Sequence, residues 1–292
     1  MTGQLVSDEP TTAVLSGAAL AKEIRADVRA AAEALADAGT PPRLAVVVAT
    51  DDESTAWYVR SIAKAASKTG IRCDVVDLGP NATPDEIRSR LTELSSDTSV
   101  HGIMLQTPLP AGTSVEDLAA SIAPEKDVDG ANPVSLGRLS AGLPAFVPAT
   151  AAAVLELLDH YDVPLAGRRA VVVGRSNVVG KPAAQLLLQR DATVTVTHRH
   201  TRDLAAHTRP AEILVVAVGR PGLIRAEHVN PGSVVIDVGT NPTADGGLVG
   251  DVDEAEVAGS AAGLTPVPGG VGPVTTALLL RHAVESASRS QV

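Results

Sequence analysis

One stretch limits what this chain can fold into more than any other: Ala170-Val-Val-Val-Gly-Arg-Ser-Asn-Val-Val-Gly-Lys-Pro182. Four small or β-branched apolar residues in a row read as a strand buried on both faces, the pattern of a parallel sheet covered by helices. The strand runs into a turn holding Gly174 and Gly180. A helical pattern over 181–190 follows, with Pro182 in its first turn. A strand, a glycine turn and a helix start together make a place for phosphate, because the helix N-terminus presents unpaired N–H groups and the positive end of its dipole. The spacing Gly-x5-Gly meets the common dinucleotide pattern only in part, and a tight strand-to-helix turn without a ligand would read the same.

The rest of the chain repeats strand and helix. A helix over 16–38, capped by Ser16, precedes the buried strand Leu44-Ala-Val-Val-Val-Ala49. A helix over 55–69 and a strand over 71–78 follow, then a helix opened by Thr83-Pro-Asp-Glu86 and the strand Val100-His-Gly-Ile-Met-Leu-Gln106. After a short helix over 115–122 comes the charged turn Pro124-Glu-Lys-Asp-Val-Asp-Gly130, and 132–145 reads as a connection. The second half has a helix over 150–161, the opening strand and its helix, strands at 193–197, 213–218 and 233–238, and a last helix over 275–286. The first twelve residues read as loose or as a short edge strand. Alternating β and α elements give an α/β fold with parallel sheets. In such sheets ligands bind beyond the C-terminal strand ends, where Gln106, the Asp127–Gly130 turn, Gly174, Gly219, Gly239 and the Pro/Gly-rich stretch 265–273 all fall. Two such edges facing each other define a cleft.

At 292 residues the chain can hold two domains. Its formal charge of −10 and lack of a basic run argue against nucleic acid as a partner. Aromatic residues are nearly absent, which sets the adjacent pair Trp57-Tyr58 apart. The single cysteine, Cys73, sits in a strand-like segment and reads as a half-buried thiol. With no leader pattern and no apolar run long enough to cross a membrane, a soluble cytoplasmic protein is expected. No metal site is expected.

Seven segments occur together in order: Tyr58-Val59, Leu105-Gln-Thr-Pro-Leu-Pro110, Lys126-Asp-Val-Asp-Gly130, Gly174-Arg-Ser-Asn-Val-Val-Gly-Lys-Pro182, Val235-Ile-Asp-Val-Gly239, Gly250-Asp-Val252 and Thr265-Pro-Val-Pro-Gly-Gly-Val-Gly-Pro273. In this the chain resembles the bifunctional methylenetetrahydrofolate dehydrogenase/methenyltetrahydrofolate cyclohydrolase family over nearly its whole length. The resemblance implies a folate-side domain, 1–147 completed by 274–292, a Rossmann-type domain over 148–273 that binds NADP, and a substrate cleft between them. It also implies a homodimer. It places Tyr58, Gln106 and Asp129 at the reacting folate, with Pro268, Gly269, Gly270 and Val271 as further substrate contacts. For the cofactor it implies Gly174, Arg175, Ser176, Gly180, His198, Arg199, Val218, Gly219, Gly239 and Thr240. The residues agree on cofactor choice. An NAD site usually ends its second strand with an acid, whereas here Thr197-His-Arg-His200 has none, and Arg175, His198 and Arg199 can bracket a 2′-phosphate.

The chain departs from the family in two places. The catalytic lysine of the family stands four residues after the tyrosine, where this chain has Ile62; one helical turn apart, both positions are expected to face the cleft. Lys64 lies about 160° further round the helix and is a poor replacement. In Val147-Pro-Ala-Thr-Ala-Ala-Ala153, alanines including Ala152 replace the larger residues of the family pattern. Isoleucine can neither orient nor deprotonate water. The reading is therefore a dehydrogenase oxidising 5,10-methylenetetrahydrofolate, with the cyclohydrolase step weak or lost. The alternatives are a divergent paralogue acting on another cyclic aminal or iminium, and a folate or nucleotide sensor without turnover. A third, another two-domain Rossmann dehydrogenase of amino-acid or shikimate type, lacks the Pro-Gly-Gly-Val-Gly-Pro loop.

Overall fold

The structure is a computed structural model that describes residues 12–291, so the expectation for the first twelve residues lies almost wholly outside it. The two residues after them form β1 (Ala13–Val14), and α1 (Ala18–Asp37) follows. The first sheet is built from β2 (Arg43–Val48), β3 (Arg72–Asp77) and β4 (Gly102–Leu105), connected by α2 (Glu53–Lys68) and α3 (Pro84–Ser96). The order is β3-β2-β4, all parallel, with Val46 opposite both Val75 and Met104. Alternation along β2 explains its continuous apolar run. Leu44, Val46 and Val48 join the core that holds Ile24, Val59 and Leu278, while Ala45 and Val47 pack with Ile87, Leu91 and Leu118.

Beyond the first sheet come α4 (Val115–Ala119), α5 (Pro133–Ser140) and α6 (Ala149–His160). The second unit then alternates β5 (Arg169–Val173), α7 (Gly180–Gln189), β6 (Thr193–Thr197), α8 (Leu204–Thr208), β7 (Ile213–Val216) and β8 (Val234–Asp237). A small antiparallel pair, β9 (Asn241–Pro242) and β10 (Leu248–Val249), precedes α9 (Glu254–Val257), β11 (Gly263–Leu264) and the last helix, α10 (Val271–Arg289). The larger sheet has six parallel strands in the order β1-β11-β8-β7-β5-β6. The chain leaves β5 toward β6 on one side and returns across it to β7 on the other. The topological switch point therefore lies between the ends of β5 and β7.

The last helix does not stay with the sheet that precedes it in sequence. It packs on α1, α6 and α2, and its buried residues include Val274, Leu278, Leu280 and Ala283. His282 on this helix is buried; its Nδ1 lies 2.8 Å from the Val128 carbonyl, and burial holds the imidazole below its usual pKa. At the other end of the chain, Ala13 and Val14 pair with Gly263 and Leu264, adding an edge strand to the larger sheet.

Several boundaries differ from the sequence reading. Residues 132–145 are not merely a connection: Asn132 accepts from the Val134 N–H at 2.7 Å and Pro133 starts α5. The last helix begins at Val271, inside the Pro/Gly-rich stretch, because Pro273 fits a first helical turn. Ser16 is not the cap of α1; Gly17 occupies that position without a side-chain bond. The Cys73 thiol is half-buried, and burial together with Asp74 pushes it up to about 11. No helix among the described residues is long and apolar enough to cross a membrane.

Candidate functional site

A cleft of about 1240 Å³ opens between the two units, with walls from α2, the ends of β4 and β5, α4, the segment after β8 and the start of α10. On the first side Tyr58, Gln106 and Asp129 line it together. On the second, Arg175, Ser176 and Thr240 do, and Val271 joins them from the last helix. These are the expected site residues that meet in one hollow.

Helix α2 explains how Tyr58 arrives there. Asp52 caps it, accepting from the Thr55 N–H at 2.7 Å. Its core stripe is Thr55, Val59, Ile62 and Ala66, which leaves Tyr58 half-buried on the shoulder of that stripe. Burial, and then the charge of Asp129, push the Tyr58 phenol up to about 12, partly offset by the Thr276 hydroxyl. Burial also pushes Asp129 up to about 7, with Asp127 adding to it. Asp127 is fixed by the Asn132 N–H at 2.6 Å and is itself raised by burial to about 6. This end of the cleft can therefore hold a proton on a carboxyl near neutrality. Gln106 is 8% exposed. Its Nε2 donates to the Thr107 carbonyl at 2.6 Å, while its Oε1 is buried without a protein partner. A buried acceptor without a partner carries a desolvation cost that no protein donor repays.

Ile62 corrects the expectation that it faces the cleft. It is 0% exposed and packed in the core. Four residues advance a helix by about 400°, so the position is offset some 40° from Tyr58, and that offset turns it under the helix. Lys64 is exposed and lines nothing in the cleft.

On the opposite wall the glycine turn is built by close approach. A Cβ on Gly174 would stand 2.1 Å from the Ala217 carbonyl oxygen, and one on Gly180 would stand 2.3 Å from the Gly174 carbonyl oxygen. The turn thus folds back on itself at the switch point, where only backbone fits. Ser176 Oγ accepts from the N–H groups of Val179 and Gly180 at 3.1 and 3.3 Å. Gly174 donates to the Thr197 carbonyl at 2.9 Å, which sets the turn beside the end of β6 and its His198-Arg199-His200 run. His198 and Arg199 do not line the cleft proper; they stand at that neighbouring strand end.

Other expected residues stand outside the lining of the cleft, most of them buried or half-buried and Gly219 and Pro268 exposed. Gly174, Gly180, Val218, Gly219, Gly239, Pro268, Gly269 and Gly270 are not among the lining groups. The N–H groups of Val218, Gly219 and Arg220 all point at the carboxylate of Asp251, at 2.7, 2.9 and 2.7 Å. Asp237 in turn accepts from Gly239, Asp251 and Val252, and burial raises it to about 6. The cause is plain: two buried carboxylates take the amides that a ligand would otherwise use. Pro268 and Gly269 lie behind the start of α10, with the Gly269 carbonyl bonded to the Gly17 N–H.

Sequence reasoning passed over Asn177, Lys181, Glu116, Thr150 and Thr275, all of which line the cleft. Asn177 Nδ2 donates to Glu116 Oε1 at 2.5 Å, bridging the two walls, and Lys181 Nζ donates to Asn177 Oδ1 at 2.6 Å. Asn177 and Lys181 stand within the glycine stretch, so their polarity was the available signal. Nothing in the sequence pairs Glu116 with them. The turn's close-packed backbone, with Arg175 and Lys181 at its mouth, fits the phosphates of a dinucleotide.

Two family models match the chain: "Tetrahydrofolate dehydrogenase/cyclohydrolase, catalytic domain" over residues 15–129, and "Tetrahydrofolate dehydrogenase/cyclohydrolase, NAD(P)-binding domain" over residues 148–291. The bifunctional protein FolD 1 of Saccharopolyspora erythraea is 73% identical over 280 residues, covering 96% of each chain. Among solved structures, the bifunctional FolD of Campylobacter jejuni superposes with a TM-score of 0.92 at 41% identity, covering 95% of this chain and 99% of that one. The methylenetetrahydrofolate dehydrogenase-cyclohydrolase of Trypanosoma brucei, solved with NADP cofactor and an inhibitor, gives a TM-score of 0.92 at 38% identity, with 97% and 99% covered.

Proposed function

Since the chain belongs to the tetrahydrofolate dehydrogenase/cyclohydrolase family, we propose that it oxidises 5,10-methylenetetrahydrofolate to the 5,10-methenyl cation with NADP, and that its hydrolytic step is weak or lost. One observation carries the second half: the residue four places after Tyr58 is an isoleucine sealed in the core, while Tyr58, Gln106 and Asp129 stand together in the cleft.

When bound, the nicotinamide accepts the hydride that leaves the methylene carbon. The protein's task is then alignment, because the cation left behind is stabilised by the substrate's own nitrogens. In this reading the Tyr58 ring lies against the folate, and Asp129 in its ionised form accepts from pterin N–H groups. Gln106 lines the reacting region. Arg175, with His198 and Arg199 at the β6 end, favours a 2′-phosphate. Hydrolysis has a further need: water must add to the methenyl carbon and lose a proton as the ring opens to the formyl product. A hydrocarbon side chain under the helix cannot take that proton. The same reading keeps the division into a folate-side unit, 1–147 with 274–292, and a cofactor unit, 148–273; a homodimer in the cytoplasm is part of it.

The unpaired Gln106 Oε1, with no lysine lining the α2 side of the cleft, favours one second reading, a related cyclic aminal or iminium as substrate. An absorbance assay that separates reduced cofactor from the methenyl chromophore, run with NADP and with NAD, tests both. Formation of NADPH with accumulation of methenyl product supports the proposal. Conversion to the formyl product well above the uncatalysed rate would overturn the loss of hydrolysis. No reduction of either cofactor would turn attention to the second substrate class.

A further inference from the structure

The turn that carries Asp129 into the cleft is held from behind by the last helix. His282 and Ser286 stand one helical turn apart on α10 and so share a face. Ser286 Oγ reaches the carbonyls of His101 and Glu125, at 2.5 and 2.7 Å. His282 Nδ1 reaches the Val128 carbonyl at 2.8 Å, and among the described residues no second donor reaches that oxygen. A carbonyl only accepts, so Nδ1 carries the hydrogen. The imidazole is 6% exposed and lies against the Phe146 ring, with centroids 4.9 Å apart and planes tilted by 39°. Phe146 leads into Pro148, which touches the backbone of Gly130: a Cβ on that glycine would stand 2.5 Å from the Pro148 nitrogen.

The direction of a side chain follows from the two rigid peptide planes that flank its Cα. For Asp129 the following plane is tied through its own carbonyl, which accepts from the Ala149 N–H at 3.4 Å, at the start of α6. The preceding plane is tied through the Val128 carbonyl, hence by His282. His282 lines no part of the cleft, so any effect it has on a ligand passes through the peptide it holds. We propose that His282 is a positioning residue for the dehydrogenase step: by donating to the Val128 carbonyl it fixes the Val128–Asp129 peptide and so aims the Asp129 carboxylate at the pterin. The inference rests on the folate reading above and adds to it a residue outside the cleft. Without the imidazole the Val128 carbonyl is a buried acceptor with no partner, and the peptide turns to find one. Asp129 turns with it. Asp129 makes the same contact before and during hydride transfer, so the loss falls on KM for the folate and spares kcat. The cofactor lies on the opposite wall and is unaffected.

Three substitutions in the full chain test this. His282→Asn keeps an N–H close to the place of Nδ1. His282→Gln carries one further out, near the place of Nε2, and His282→Leu carries none. Steady-state assays with 5,10-methylenetetrahydrofolate and NADP give kcat and both KM values, and thermal melts give Tm. The expected result is a folate KM raised about tenfold or more in His282→Gln and His282→Leu, the loss of about one hydrogen bond to a charged group. Their kcat and KM for NADP should stay within about threefold of the parent. His282→Asn should rescue the folate KM to within about threefold. Ile87→Val, in the core on the other face of β2, sets the baseline for lost packing: Tm falls and neither KM moves. A parental folate KM in folded His282→Gln or His282→Leu overturns the proposal. So does His282→Asn as impaired as His282→Leu, because ring packing on Phe146 would then be what matters. Failure of both His282→Gln and His282→Leu to fold also overturns it, because the residue would then serve the fold and not the aim; where only one folds, that one decides. No turnover of the folate by the parent overturns the folate reading, and this proposal with it.

Discussion

Replacing Ile62 by lysine separates the two demands on that position. The isoleucine is fully buried beside Val59 and Ala66. Burying such a side chain contributes about 1.5–3 kcal/mol. A lysine stem recovers part of this, but its ammonium must reach an acceptor or stay desolvated, so Ile62→Lys should cost about 2–4 kcal/mol. For a chain of this size that corresponds to a Tm lower by about 5–15 °C, measured by scanning fluorimetry without ligand. A stem that bends round the helix shoulder would bring the ammonium to the cleft, which Gln106 and Asp129 line. The folded fraction should then gain hydrolysis, read as faster decay of the methenyl chromophore after cofactor reduction. Ile62→Met keeps the volume and the apolar character, so it should change Tm by less than about 1.5 kcal/mol equivalent and give no gain. Two results would refute the reasoning. An unchanged Tm in Ile62→Lys would deny that this side chain is packed in the core. A folded variant that oxidises the folate and hydrolyses no faster would show that the missing amine is not what limits the second step.

Three other outcomes follow from the geometry. Burial raises Asp129 to about 7 and both Asp127 and Asp237 to about 6. The unfolded chain loses these protons near pH 4, so the contribution of these three carboxyls to stability is full below that pH and is lost as pH rises through about 6 to 7. The buried His282 imidazole, held below its usual pKa, works the other way but is common to parent and variant, so the Tm of Asp129→Asn relative to the parent should fall on going from pH 8 to pH 5.5. Arg175→Gln should raise KM for NADP about tenfold or more and leave KM for NAD nearly unchanged, measured in parallel dehydrogenase assays. Gly180→Ala would set a methyl against the Gly174 carbonyl; cofactor affinity should collapse while far-UV circular dichroism stays native, and retention of affinity would deny the close turn.

The strands were legible because their burial on both sheet faces leaves unbroken apolar runs such as Leu44 to Val48 and Ala170 to Val173. The two walls of the cleft were legible from glycine and polar residues at the strand ends. Helix α5 was hidden because Gly137 and Gly142 read as loop, although Asn132-Pro133 is a start signal. The burial of Ile62 was not legible, since a 40° offset decides it and spacing alone does not resolve that angle. Asp251 was visible only as part of a motif. Its partners are backbone amides some thirty residues earlier, and amides look alike in every sequence.

Packing of α10 on α1 and α6 bears on how the molecule is made. During translation the amino-terminal half leaves the ribosome with a groove that nothing yet fills, and its apolar lining waits through the synthesis of the whole larger sheet. A nascent chain stalled before Val271 would expose that groove, and a protease or chaperone would see it first. Trimming the helix would therefore remove a wall that the amino-terminal unit cannot supply from its own sequence.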